Sequence, residues 1–408
     1  MKIVFIVNGF GEKPNIKSYV DSGGTRIWIE LLKNWKDKSE IILFGAETLT
    51  KYIHERFNDK IELIKTDVAI SFDNSLIDFV KCTFRRVYKG IVASKNNWNK
   101  IKDTDYIYST SDFYSDSIPA LYIKLRNPKI KWIAGYYLFA PNPLDKNSPY
   151  KGKNRLRGFF YWLTQRLSYF FVKKFADYVF VTSDPDVKKF VTKKRDRSKI
   201  IVVQGGVDIT ESEKYFKGNK IIPVRERIYD ACFVGRFHYQ KGVLELIDIW
   251  KKVCELEKGA KLAMIGIGPL EDEVKQKIKN LKLEGNINLL GFMDGPEKYD
   301  IFKQSKLILH PSIYDSGGMA PAEGMAWGLP GVSFDLEALK TYYPKGFVKT
   351  IRGDKEQFAE NILKLLKDND LYDKIAKEAR ALIIEVWDWN IRAEMIYLAV
   401  FKKTLSYE

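Results

Sequence analysis

The stretch "SKLILHPSIYDSGGMAPAEGMAWGLPGVSF", residues 305–334, sets two apolar runs on either side of a loop rich in glycine, proline and acid. The first run, KLILHPS, reads as a strand buried on both faces, and so does the closing GVSF. Between them APAEGMAWG opens a short helix, because Pro321 suits a first turn where its missing N–H would have had no partner. Strand, glycine turn, helix and strand make one unit of a parallel sheet covered by helices.

The alternation extends in both directions. YDACFVG, KLAMIGIG and INLLGF are strands upstream, separated by the helices GVLELIDIWKKVCEL and PLEDEVKQKIKNL, and PEKYDIFKQS leads into the opening stretch. KIVFIVN, EIILF, DYIYS, IKWIAG, DYVFVTS and KIIVVQGG form an earlier set with helices between them. The polar, punctuated residues 206–228 separate the two sets and read as a linker. A chain of 408 residues exceeds one ordinary core. The expected fold class is therefore α/β with two doubly wound, Rossmann-like domains: residues 1–205, then the linker 206–228, then residues 229–385. A closing helix is expected over residues 386–408.

Composition removes several classes. With 45% hydrophobic and 14% aromatic residues the chain is not a disordered one. The N-terminus MKIVFIVNGFGEKPN meets charge and turn residues too soon for a signal peptide, and no apolar run is long enough to span a bilayer. Three cysteines, Cys82, Cys232 and Cys254, form no CxxC pair, which fits a reducing compartment. The expected location is cytoplasmic. Residues 121–200 carry 19 Lys and Arg against 5 Asp and Glu, so most of the net charge of +16 falls in this window. Such a surface attracts nucleic acid, anionic lipid or phosphorylated substrates.

Ligands of open parallel sheets lie beyond the carboxyl ends of the strands, so residues just after the strands are the candidates. In FVGRFHYQKG, residues 233–242, Arg236 and Lys241 flank a loop ahead of a helix, a spacing that suits two phosphates as well as an ordinary solvated loop. After KLILHPS come Asp315, Ser316, Gly317, Gly318 and Met319, glycine-rich backbone entering a helix N-terminus that favours an anion. An acid beside a phosphate site needs another task. Asp315 and Glu323 could each accept hydrogen bonds from vicinal sugar hydroxyls, or serve as a cap and a solvated helix acid. Gly24 in SGGTR, residues 22–26, gives a weaker signal of the same kind.

Together these elements resemble the family 4 retaining glycosyltransferases, the glycosyl transferases group 1, of GT-B fold. SGGTRIWIELLKNW is similar to that family's first glycine loop and helix, and FVGRFHYQKG to its GR-x4-KG element. MIGIGPLED resembles its G-x-GP turn, YDSGGMAPAEGMAWGLPGV its E-x7-E signature, and VWDWNIRAEMIYLAVF a closing helix that crosses back to the first domain. The resemblance implies two domains across a cleft, the first for the acceptor and the second for the nucleotide sugar. It implies that Arg236 and Lys241 hold the donor diphosphate, Glu323 the ribose and Asp315 the transferred sugar. Backbone at Ser316, Gly317, Gly318 and Met319 helps position them, Gly268 and Phe292 face the base, and Gly24 approaches the donor. It implies catalysis by Asp315, Arg236 and Lys241 without a metal or other cofactor.

Departures from the pattern are informative. The first acid is Asp315 instead of Glu, Gly324 and Gly331 stand where Ala and Val are usual, and Trp327 replaces a small residue. IKWIAGYYLFAP has no histidine where relatives place one, which leaves Tyr136 or Tyr137 to fill the acceptor side.

Rival readings are a same-fold nucleotide-sugar epimerase or phosphorylase, and a basic nucleic-acid-binding protein, against which stands the lack of any nucleic-acid-binding motif. The helix RLRGFFYWLTQRLSYFFVKKF sets Leu156, Phe159, Phe160, Leu163, Leu167, Phe170 and Phe171 on one face with Arg and Lys around it. That face suits either an interfacial helix docked on an anionic membrane that carries lipid-linked acceptors or a helix packed on the core. Packing is the expectation, while the basic surface of residues 121–200 draws the protein to the inner face of an anionic membrane carrying a glycan or glycolipid acceptor.

Overall fold

Continuous runs of Val, Ile, Leu and Phe leave no polar edge to face water, so each such strand must be covered on both faces. The computed structural model describes residues 1–9, 23–47, 49, 52–53, 61–66, 76–145, 148, 150, 152, 154–203, 205–218, 220–315 and 318–402. Among them seven strands, β1 (Lys2–Ile6), β2 (Glu40–Gly45), β3 (Glu62–Lys65), β4 (Tyr106–Ser109), β5 (Lys131–Gly135), β6 (Tyr178–Val181) and β7 (Ile200–Val202), form a parallel sheet ordered β3-β2-β1-β4-β5-β6-β7. Six more, β8 (Tyr229–Val234), β9 (Leu262–Ile265), β10 (Ile287–Gly291), β11 (Ser305–His310), β12 (Gly331–Phe334) and β13 (Phe347–Thr350), form a second parallel sheet ordered β10-β9-β8-β11-β12-β13. Both are doubly wound Rossmann-like sheets, each with its direction of winding reversed at one point: between β1 and β4, and between β8 and β11.

The chain divides into two units, Met1–Gln204 with Ala393–Glu408, and Gly205–Arg392. In the first, Ile6, Phe44, Ile107, Trp132 and Val179 are fully buried in one core. In the second, Phe233, Trp250, Leu262, Leu307 and Phe358 do the same. The helix Trp389–Phe401 begins in the second unit and ends in the first. There Trp35 Nε1 donates to Ala393 O at 3.1 Å, and the Trp35 ring meets Tyr397 and Phe401 with centroids 5.9 and 5.1 Å away.

Two readings of the sequence need correction. The stretch taken as a linker is integral to the second unit: helix Thr210–Lys217 is pinned by a Glu213–Arg380 ion pair of 2.5 Å and by Tyr215 against Trp327, centroids 5.5 Å apart. Its scarcity of aliphatic residues made it look unstructured. The second correction concerns helix Asn154–Phe175, whose Leu156, Phe159, Leu163, Leu167 and Phe170 are exposed, while Gln165, Ser168 and Val172 face the core. Gln165 decides that rotation. Its amide donates to Asp112 Oδ2 at 2.9 Å and Leu138 O at 2.6 Å, and its carbonyl accepts from Ala140 N at 2.6 Å. A buried amide with those partners fixes the helix more firmly than an aliphatic face could roll it.

Candidate functional site

The reversal point of the second sheet brings the loops after β8 and β11 side by side, because the two strands pair in parallel with Leu307 opposite Ala231. After β8 the chain passes Gly235 and Arg236 into a short turn, Tyr239–Lys241, then Gly242, then helix Val243–Leu256. Gly242 takes a left-handed φ of 63°, and any Cβ there would overlap Pro311 O. The two loops are also tied through Gln240 O, which accepts from Ile313 N at 3.1 Å. After β11 come Pro311 to Asp315, then Gly318, also left-handed at φ 53°, at the N-terminus of helix Met319–Ala326. Tyr343 OH donates to Gly318 O and holds that turn.

Lys241 Nζ lies 2.6 Å from Asp315 Oδ2, and Gly318 N donates to Asp315 Oδ1 at 3.2 Å. His310 Nε2 sits 3.3 Å from the same Oδ2, at ion-pair distance without hydrogen-bonding alignment. Burial opposes ionisation of Asp315, but the Lys241 ammonium and the His310 ring hold the carboxyl well below the usual carboxylate range. Burial likewise lowers the His310 pKa, against the pull of Asp315. Arg236 is exposed and has no ion-pair or hydrogen-bond partner among the described residues. His238, between the two cations, is pushed down to about 4 by burial and then by Arg236 and Lys241.

Glu323 accepts an ion pair of 2.9 Å from Lys298 Nζ, which also meets Asp294 at 2.8 Å. Burial works against the Lys298 charge, yet Glu323 and Asp294 raise its pKa. The other predicted second-unit residues line neighbouring strand ends. Gly268 follows β9 and backs onto the Phe237 backbone, where a Cβ would overlap Phe237 O, and Phe292 follows β10 and is 38% exposed. Ser316 and Gly317 lie outside the described residues. Gly324 and Gly331 are small for packing reasons: a Cβ would crowd Ile308 at the first and overlap Phe347 at the second.

The first-unit candidates separate into core and loop. Tyr136 is buried against Phe139 and Phe190, with its hydroxyl donated to Gln165 O at 3.2 Å, so it serves the core and does not line a site. Tyr137 is the member of the pair that lies against Gly24, 3.3 Å from a Cβ built there, and its hydroxyl meets that of Tyr108. A cavity of about 260 Å³ lies at the carboxyl end of β4, lined by Arg86, Asp112, Phe113, Phe160, Tyr161 and Thr164 among others. Burial raises Asp112 to about 6, and its neighbour Asp116, which accepts from Gly9 N at 2.6 Å, to about 7.

Sequence reasoning missed Lys298, His310 as a partner of Asp315, and the Asp112–Gln165 pair. One signal was available for Lys298: a cation in the first turn of a helix opposes the dipole and needs a local acid to explain it. Among the described residues no group of three or more His, Cys, Asp or Glu is placed to hold a metal ion, and no helix is long and apolar enough to cross a membrane.

Residues 219–382 match the family model described as glycosyl transferases group 1. An uncharacterized glycosyltransferase of Methanocaldococcus jannaschii is 26% identical over 48% of this chain and 53% of its own length, so the match spans about half of that relative. A second from the same organism is 26% identical over 74% of this chain and 76% of its own. Among solved structures, the Anabaena protein HepE in complex with UDP and glucose superposes with a TM-score of 0.66 at 18% identity, covering 98% of this chain and 100% of that one. The likeness to glycosyl transferases group 1 thus lies in residues 219–382 of the second unit, and the doubly wound pair of sheets shares the fold of that solved structure.

Proposed function

We propose that the protein is a retaining glycosyltransferase that moves a sugar from a nucleotide diphosphate sugar to a glycan or lipid-linked acceptor. The observation that carries the reading is the convergence of Arg236, Lys241, Asp315 and the Gly318 helix entry at the reversal point of the second sheet. Arg236 and Lys241 neutralise the departing diphosphate, and the N-terminus of helix Met319–Ala326 adds its amides and dipole, so charge is stabilised without a metal. Asp315, kept ionised, accepts from hydroxyls of the transferred sugar, and Glu323 does the same for the ribose. The acceptor hydroxyl attacks on the face from which the diphosphate leaves. Its proton passes to the departing diphosphate oxygen as the new C–O bond forms and the bond to the diphosphate breaks. The acceptor belongs to the first unit, with the cavity beside Asp112 as its place. The enzyme works in the cytoplasm, peripheral to the membrane.

The test is a thermal-shift screen of nucleotide sugars, followed by mass spectrometry of products and anomeric assignment by NMR. Lys241→Ala and Glu323→Ala should each cut donor binding and turnover. Unchanged kinetics in both would sink the site, and sugar isomerisation without an acceptor would assign an epimerase instead.

A further inference from the structure

Helix Asn154–Phe175 is turned inside out by the ordinary rule for a surface helix: its small and polar residues face the core and its large apolar ones face out. Leu156, Phe159, Leu163, Leu167 and Phe170 recur every three or four residues and are between 40% and 69% exposed. They form a single stripe along about four turns. The hydrogen bonds of Gln165 prevent a roll that would bury it.

Charge identifies what covers the stripe. The helix carries Arg155, Arg157, Arg166, Lys173 and Lys174 and no Asp or Glu. Arg155 and Arg166 are exposed along one border of the stripe, Arg166 stacked 4.0 Å from the Trp162 ring centroid, and Lys174 closes its end over Phe170. A second copy of the chain meeting this face would set cation against cation, and a nucleic acid would leave the Leu and Phe side chains without a partner. An anionic bilayer satisfies both parts, with acyl chains for the stripe and headgroup phosphates for the Arg and Lys.

We propose that helix Asn154–Phe175 is an interfacial docking element that lies in the plane of an anionic lipid bilayer, with Leu163 and Leu167 at the centre of the inserted face. This deepens the peripheral-membrane reading above and rests on it. Phe160, next to the stripe on the helix, lines the cavity beside Asp112, so docking brings a wall of the proposed acceptor site to the level of the headgroups.

The experiment is sedimentation of the full chain with vesicles of phosphatidylcholine, with and without phosphatidylglycerol, at low and high salt. The wild type should sediment with the phosphatidylglycerol vesicles, stay in solution with phosphatidylcholine alone, and be released by salt. Leu163→Glu/Leu167→Glu should lower partitioning about a hundredfold. Arg166→Glu/Lys174→Glu, a second pair that leaves the apolar stripe intact, should lower it about tenfold. Both should keep the wild-type circular dichroism and nucleotide-sugar thermal shift. Wild type that ignores anionic vesicles, or a Leu pair that binds like wild type, overturns the proposal. So does size exclusion showing a wild-type dimer that the Leu pair converts to monomer. Loss of vesicle binding with donor binding intact refutes only the docking, whereas wild type that binds no nucleotide sugar refutes the transferase reading.

Discussion

Lys298 and Glu323 are joined across 2.9 Å, with the Lys298 side chain only 7% exposed and Glu323 17%. A cation this far from water is held there by its acids, and the acid the family likeness assigns to the ribose is one of them. Lys298→Met leaves Glu323 without that ammonium. The expected stability loss is about 2 kcal/mol, below that for breaking a fully buried pair because Glu323 retains some solvent. Urea unfolding should show it, and the KM for nucleotide sugar should rise about tenfold with a smaller change in kcat.

Lys241→Met should have a different signature. Asp315 is ionised against burial because of Lys241 and His310, so losing the ammonium raises the Asp315 pKa. The stability that a depressed carboxylate confers is present above its unfolded pKa and is lost as pH falls through the folded one. The acid limb of both stability and activity should therefore move to higher pH in the variant. Turnover at neutral pH should fall about a hundredfold, as for loss of one charge-stabilising donor.

His238 should report donor binding directly. Its pKa of about 4 reflects burial and two neighbouring cations, and a diphosphate placed between those cations would reverse the local field. An NMR titration, simple in a chain with three histidines, should show the His238 pKa rising by one unit or more when a nucleoside diphosphate is added. An unmoved pKa with bound nucleotide would place the diphosphate elsewhere.

Asp112 and Asp116 should make the first unit less stable as pH rises. Burial lifts both above an ordinary 3.8, to about 6 and about 7. A raised carboxyl pKa contributes stability that is full below the unfolded value and lost as pH climbs through the folded one. Chemical denaturation between about pH 4 and 7 should show the decline, and Asp112→Asn should flatten the part of it that lies near pH 6.

The fold was legible where burial is uniform. Eleven of the thirteen strands among the described residues coincide with apolar runs read from the sequence, because strands covered on both faces carry no polar alternation. The two that were overlooked, β3 with Glu62 and Lys65 and β13 with Lys349, are each an edge of a sheet, where one side meets solvent and the apolar run breaks up. At the site, Arg236, Lys241 and Asp315 were visible because glycine and proline mark the strand ends that carry them. Lys298 and Gln165 were not, since each takes its meaning from a partner at a distance: Glu323 is 25 positions from Lys298, and Asp112 is 53 from Gln165. Periodicity finds the apolar stripe of helix Asn154–Phe175 but cannot tell which way one glutamine turns it.

The helix Trp389–Phe401 has a consequence for biosynthesis. The second unit is one uninterrupted segment and can close on itself, but the first lacks its last piece until Ala393, 189 positions after Gln204, has been made. At about 5–20 residues per second that interval is roughly 10–40 s on the ribosome. Throughout it the Trp35 indole and the Tyr106 ring lack the cover that Phe401 later gives them. The half of the protein that is translated first is thus the half that is finished last, and its nascent surface is a natural client for a chaperone.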